Sequence, residues 1–338
     1  MKVLAADFGF GYVKALALGY KPLCIPSLVG PAEYDRFPDD DVVPENGHST
    51  ASIKVEVDGR WFYVGELAGL QSASRSQTLD PTRTGSTEQK ALFHGVASEL
   101  VRTTDQEIVV ICGLPVLDFD ERNKAALSKM LRGPHEVKRE GRHARAFEVV
   151  EVYPMPQALG TLYGLVLDRH GKLVDGDLAD GRVGIVDPGH GTTNFILVDR
   201  MRYVETGSGS MQSGMSEALV KIAKDLKREY GLDWTNNLTR VDREAVRLRT
   251  VEVKGVPVNV AHIVTPHLAD LADTLISKAR SLWGEGEDLR TVVLTGGGQV
   301  EMAQYFRQVY NHLRLPGGDP QFCNVVGFLR AGIRRFGE

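Results

Sequence analysis

Val3-Leu4-Ala5-Ala6-Asp7-Phe8-Gly9-Phe10-Gly11-Tyr12-Val13-Lys14 returns in the second half of the chain as Val183-Gly184-Ile185-Val186-Asp187-Pro188-Gly189-His190-Gly191-Thr192-Thr193-Asn194. Each copy is an apolar run, then Asp-x-Gly-x-Gly, then a second run that opens on β-branched or aromatic residues, which predicts a hairpin with a glycine-rich turn. Glycines in such a turn let backbone N–H groups approach an anion, because no Cβ stands in the way. A carboxylate at the strand end repels phosphate, so Asp7 and Asp187 suit a cation or its bound water. One copy alone reads as an ordinary tight hairpin. Two copies, each opening an α/β half, predict two similar domains that hold a polyphosphate from two sides. The turns lack G-x-G-x-x-G and run into a strand rather than a helix, against a dinucleotide fold. No G-x-x-x-x-G-K-[ST] occurs, which excludes a P-loop.

Further segments complete the pattern. Leu294-Thr295-Gly296-Gly297-Gly298 follows the apolar run Thr291-Val292-Val293, and its glycines let backbone lie flat against a base or ribose. Pro154 to Gly164 and Asn324 to Gly332 place the small residues Gly160, Gly164, Gly327 and Ala331 at helical spacing, suited to two helices that cross closely. Glycine costs about 1 kcal/mol against alanine inside a helix, and close approach is a reason to tolerate it. In this order and spacing, the paired hairpins resemble the first and second phosphate motifs of the actin, sugar kinase and heat-shock chaperone ATPase superfamily. The Thr-Gly-Gly-Gly loop resembles its adenosine motif, and the two helices its interdomain helices. Trp61 to Ala68, and Val109 to Val116 with its Gly-Leu-Pro, resemble the plasmid-segregating ParM-like actins and their archaeal relatives.

The resemblance implies an α/β, two-domain actin-like fold with a nucleotide cleft between the domains, binding ATP or ADP with Mg2+. Asp7 and Asp187 then stand in the magnesium shell, through coordinated water because magnesium dehydrates reluctantly. Gly9, Phe10, Gly11, Tyr12, Gly189, His190, Gly191, Thr192 and Thr193 line the phosphates, and Gly296, Gly297 and Gly298 the adenosine. Lys14 is placed to reach the phosphates, or is a surface lysine on an alternating strand. Gln157 is expected to open the first interdomain helix and orient the attacking water, or only to cap that turn. An amide is a poor base, so the implied hydrolysis is slow. His190 departs from the acidic residue of actin and adds a donor instead. Lys224 and Lys227 touch nucleotide or form a solvated helix face.

The implied function is an ATPase that polymerises with nucleotide into filaments and segregates plasmid DNA through a DNA-bound adaptor. A monomeric small-molecule kinase and a non-hydrolysing nucleotide-gated scaffold are the alternatives. Composition agrees: 338 residues, 42% of them apolar, suffice for two cores. A net charge of −4, evenly mixed, gives no sign of direct DNA binding. Cys24, Cys112 and Cys323 are far apart without a C-x-x-C, against a zinc site and for a reducing compartment. No apolar stretch approaches the roughly 20 residues that cross a bilayer, so a cytoplasmic location is expected. The expected division is residues 1–157 as domain I, with a strand-rich insert at about 28–88, residues 158–320 as domain II, with an upper part at about 215–285, and a C-terminal interdomain helix over 321–338. Within the insert lie the acidic Asp39-Asp40-Asp41, the turn Glu45-Asn46-Gly47, and strands at Ser52 to Val57 and Arg60 to Val64. Helices are expected at Thr87 to Arg102, Ser216 to Tyr230 and Pro266 to Trp283. The basic Lys138-Arg139-Glu140-Gly141-Arg142-His143 is expected at a hairpin tip as solvated charge.

Overall fold

The apolar runs on either side of each Asp-x-Gly-x-Gly pair as antiparallel strands: Lys2–Phe8 with Tyr12–Ala17, and Arg182–Pro188 with Thr193–Asp199. In a computed structural model that describes residues 1–32, 53–72, 76–77 and 84–337, each hairpin is the middle of its own sheet. The first sheet runs Leu23–Pro26, Tyr12–Ala17, Lys2–Phe8, Glu107–Leu114, Arg145–Pro156, Gly133–Val137. The second runs Arg202–Met211, Thr193–Asp199, Arg182–Pro188, Thr291–Leu294, Leu313–Arg314. The repeat read in twelve residues is therefore a repeat of five strands in the same order. Lys2–Phe8 and Arg182–Pro188 each pair in parallel with the next strand, and both are buried from their second residue onward. Burial on both faces is why they read as continuous apolar runs rather than alternating ones.

The chain divides into two compact units, Met1–Asp175 with Phe322–Glu338, and Gly176–Gln321. The boundary expected at 157/158 differs from this division by the helix Leu159–Val166 and the loop after it. That helix packs on the C-terminal helix Cys323–Phe336 within the first unit. A Cβ on Gly327 would stand 1.6 Å from the carbonyl oxygen of Gly160, so the backbones touch where the sequence sets glycine against glycine. Thr161 donates to Asn324 Oδ1 at 2.8 Å, and Arg330 Nη1 donates to the carbonyls of Gly164 and Leu167, which the helix end leaves without partners.

The insert carries Ile53–Val57 and Arg60–Val64 around Asp58-Gly59, whose φ values of 50° and 79° make the left-handed two-residue turn that joins twisted strands. Asp39-Asp40-Asp41, Glu45-Asn46-Gly47 and Ser52 lie outside the described residues. Thr87–Leu100 starts at a Ser86 cap that accepts from Gln89 N at 3.2 Å. Met215–Tyr230 buries Leu219, Ile222, Ala223 and Leu226 and stops at Gly231, with φ 72°. Two expectations need correction. The helix expected from Pro266 begins at Ala261, with Asn259 Oδ1 accepting from Ala261 N at 2.9 Å and Pro266 inside it. Ile263 and Val264 are buried, and their packing outweighs the one backbone bond that Pro266 forfeits. The basic tip is not solvated throughout: Arg139 is buried and ion-paired with Glu99, which also takes Arg142 at 3.1 Å. Among the described residues, no helix is long and apolar enough to cross a membrane.

Candidate phosphate and adenosine site

Three parallel neighbours of the first sheet, Lys2–Phe8, Glu107–Leu114 and Arg145–Pro156, bring their C-terminal ends together, the edge at which open α/β sheets bind ligands. Asp7 lies opposite Gly113 in this register, and Gln157 N continues the ladder by donating to Leu114 O at 2.9 Å. Gln157 therefore does not open a helix. Pro154 and Pro156 hold the chain extended up to it, and the helix begins at Leu159. Its buried side chain turns back along the strand ends, and Nε2 donates to Asp7 Oδ1 at 2.7 Å. On the other side of Asp7, Lys14 holds its ammonium 4.0 Å from Oδ2. The same Nζ is 3.4 Å from where a Cβ on Gly9 would stand, so the cation sits over the turn. The turn is pinned by Ser27, whose hydroxyl donates to Gly9 O at 2.6 Å and whose N–H donates to Gly11 O at 2.9 Å.

Asp187 is buried at the end of its strand in the second unit, where Thr295 N donates to Val186 O at 2.9 Å. This bond carries the Thr-Gly-Gly-Gly loop past the carboxylate. A Cβ on Gly296 would fall 2.0 Å from Asp187 Oδ1, and Gly296 has φ 77°, so only glycine serves here on both steric and backbone grounds. Gly298 N donates to Pro188 O at 3.1 Å and ties the end of the loop to the hairpin. The turn itself closes with Gly189 N donating to Thr192 O at 2.9 Å. Its outer carbonyls meet a helix: Met215 N donates to Gly189 O at 2.9 Å and Ser216 N to His190 O at 2.8 Å. The N-terminus of Met215–Tyr230, with its partial positive charge, thus stands at the second turn. Thr193 donates to Ser213 O at 2.7 Å and fixes the loop that leads into that helix.

The expected site residues fall into groups. Asp7, Gly9, Phe10, Gly11, Tyr12, Lys14 and Gln157 come together at one end of the first sheet. Asp187, Gly189, His190, Gly191, Thr192 and Thr193 come together with Gly296, Gly297 and Gly298 at one end of the second. Lys224 and Lys227 are not brought to either turn. Both are exposed on Met215–Tyr230, Lys227 binds Asp233 at 2.6 Å, and nine residues of helix put Lys224 about 14 Å along the axis from Met215. Two residues carry more than their sequence context shows. Ser27 has no motif around it. Gly113 sits in the Gly-Leu-Pro that the sequence marks, but its reason is spatial: a Cβ there would be 2.7 Å from Gln157 Cγ and 2.9 Å from the Phe328 ring.

The donor set fits a magnesium nucleotide. Each turn by itself offers part of what such a ligand needs: in the first unit a hard carboxylate with an ammonium over the turn, and in the second a hard carboxylate beside a helix N-terminus, with Gly297 placed where a Cβ would meet nothing within 4 Å. No cluster of three His, Cys, Asp or Glu side chains able to hold a bare ion occurs among the described residues, so the carboxylates suit an ion that keeps its water.

Residues 5–160 match the family model of the N-terminal domain of actin-like proteins, and residues 185–308 that of the C-terminal part of archaeal MreB-like actin homologues. Among solved structures, the archaeal actin homologue Ta0583 superposes with a TM-score of 0.80 at 22% identity, covering 99% of this chain and 100% of that one. A ParM from a 15-stranded filament of Clostridium botulinum gives 0.80 at 20% identity, with 98% of each chain covered. Bacillus thuringiensis ParM, solved with ATP, gives 0.72 at 18% identity and 98% of each chain. No curated protein matches. With an actin-like model matching each half, and the same two-domain fold in these neighbours, the chain belongs to the actin-like proteins.

Proposed function

We propose that this actin-like protein binds ATP and ADP through its two glycine hairpins, hydrolyses ATP slowly, and assembles with nucleotide into filaments that segregate DNA. The observation that carries the reading is the meeting of Asp187 with Gly296, where a phosphate turn and an adenosine loop share one carboxylate contact. Neighbours solved as a ParM filament and as ParM with ATP support the filament and the nucleotide. Bound magnesium would neutralise phosphate charge at Asp7 and Asp187. The protein's own part follows from the geometry. Lys14 adds a point charge at the first turn, and the N-terminus of Met215–Tyr230 adds a partial one at the second. With one Nε2–H given to Asp7, the Gln157 amide meets a water as acceptor through its carbonyl oxygen. It orients the water without taking its proton, which makes turnover slow. Nucleotide exchange for its hydrolysis product then shifts the subunit between states that assemble and states that do not. A DNA-bound adaptor supplies the link to cargo, and the cytoplasm is the compartment.

High-speed pelleting with ATP, with ADP and without nucleotide, followed by electron microscopy of the pellet, tests this. Filaments that depend on nucleotide are expected. Protein that stays soluble in all three at concentrations well above micromolar would instead favour the kinase reading.

A further inference from the structure

Away from the phosphate turns, the tip between Gly133–Val137 and Arg145–Pro156 is mostly basic, and its one carboxylate, Glu140, is bound by Lys54 at 2.7 Å. Arg139, Arg142 and Arg145 meet at the C-terminal end of the helix Thr87–Leu100, and among the described residues the carboxylate in their midst is Glu99. Glu99 is already taken: Arg139 Nη1 binds its Oε1 and Arg142 Nη1 its Oε2, the latter at 3.1 Å. Arg139 further donates to Ser98 Oγ at 3.3 Å, with its side chain only 5% exposed. Arg145 is left over. Its Nε and Nη1 are enclosed and have no hydrogen-bond acceptor, although a buried N–H without one is costly. Burial first, and then Arg142, disfavour its charged form, with Glu99 opposing and Arg139 adding to the loss. A guanidinium does not give up its proton in a protein, so the cluster holds more positive charge than Glu99 balances.

Beside these groups an open cavity of about 590 Å³ is lined by Thr103, Gly141, Arg142, His143 and Arg145. Two arginines, a histidine and a threonine line one space, and among the described residues no carboxylate lines it. We propose that this cavity is an oxyanion site that takes a phosphate group, held by Arg142 and Arg145 with Thr103 and His143 as further donors. Arginine suits this task because its planar donors match phosphate oxygens, and such charge-assisted bonds are about twice as strong as neutral ones. The anion would supply the charge that Glu99 cannot and let Arg145 turn its enclosed donors toward an acceptor. The site owes nothing to the hairpins and stands or falls apart from the function proposed above.

The test is calorimetric titration of the full chain with sodium phosphate in chloride buffer. Binding is expected in the wild type, with affinity falling about tenfold in Arg142→Gln and further in Arg145→Gln. Arg145→Lys, which keeps the charge but not the planar donors, should lie between. Asp187→Ala should titrate as the wild type does, and this separates the cavity from the nucleotide turns. Arg142 is exposed, so Arg142→Gln keeps the fold, and it decides the matter if Arg145→Gln melts early. A second series with glycerol phosphate identifies the source. An affinity more than about tenfold above that of inorganic phosphate assigns the cavity to an organic phosphate, and equal affinities assign it to the free ion. Phosphate affinity unchanged in both glutamine variants overturns the site. So does the absence of wild-type binding at about 10 mM, and so does uptake of a polyglutamate peptide without uptake of phosphate.

Discussion

The two hairpins have one backbone plan and two sources of positive charge. In the first, the Gly9 carbonyl is capped by the Ser27 hydroxyl at 2.6 Å, and the residue paired with Asp7 is Lys14, with its ammonium over the turn. In the second, the corresponding Gly189 carbonyl is capped by Met215 N at 2.9 Å, and the residue paired with Asp187 is the neutral Asn194. One turn thus relies on a side chain where the other relies on the end of a 16-residue helix. The segments beside the two carboxylates differ likewise. Gly113, opposite Asp7, makes room for Gln157, whereas Gly296, beside Asp187, makes room for the carboxylate itself. The first half is built for placing side chains that act, the second for bringing backbone close. Substitution at matched positions should therefore have unequal effects.

The largest effect is expected where backbone contact leaves no slack. Gly296→Ala puts a methyl 2.0 Å from Asp187 Oδ1 at φ 77°, so either the loop or the carboxylate must move. Nucleotide affinity should drop by roughly a thousandfold, about 4 kcal/mol, in calorimetric titration with Mg-ATP. Asp187→Ala removes the carboxylate without adding bulk beside the loop, and should cost at least about a hundredfold in affinity or turnover. Wild-type binding and turnover in Asp187→Ala would break the comparison at its root.

Gln157→Ala probes the other half. Its amide donates to Asp7 Oδ1, and on the proposed role its loss should remove a transition-state contact and spare ground-state binding. Turnover should fall about a hundredfold, near 3 kcal/mol, at unchanged ATP affinity. Filaments of the variant should form with ATP and persist, when light scattering and phosphate release are followed in one sample. Phosphate release at the wild-type rate would reduce Gln157 to a strut between two strand ends. Loss of ATP binding would show that the halves do not divide binding from chemistry.

Much of this division was legible in the sequence, because the repeat, the glycines and the apolar runs are local signals with fixed periods. The crossing of Leu159–Val166 with Cys323–Phe336 was legible for the same reason: glycines at helical spacing have few uses other than close approach. What stayed hidden depends on residues distant in the chain. Nothing near Ser27 says that it closes a turn at Gly9 and Gly11, and nothing near Gly113 says that Gln157 and Phe328 will crowd it. The end of the strand at Pro156 reads as helix in sequence because apolar residues stand on both sides of Gln157, and the prolines are what mark the change. Arg139 read as solvated because a charged tip usually is; its partner Glu99 lies 40 residues away. His94, held neutral by burial with a pKa lowered to about 4, has no local mark either.

The smallest effects should separate the two sources of charge most cleanly. Lys14→Met removes the ammonium from the first turn but keeps the alkyl stem that packs along the strand. A point charge at a partly exposed position is screened, so affinity for Mg-ATP should fall about tenfold, near 1.4 kcal/mol, and should lose part of its dependence on salt. Asn194→Ala at the matched position should cost less than about threefold, because the field at the second turn comes from the helix N-terminus and survives the change. The useful result is the ratio. If both variants lose affinity equally, Asn194 is acting as the counterpart of Lys14, and the helix contributes little. If Lys14→Met loses nothing while Asn194→Ala loses tenfold, the assignment of charge to the two turns is reversed. Affinity measured at two salt concentrations sharpens the same point: a full ammonium and a helix terminus are both screened, but only the first is lost with a side chain.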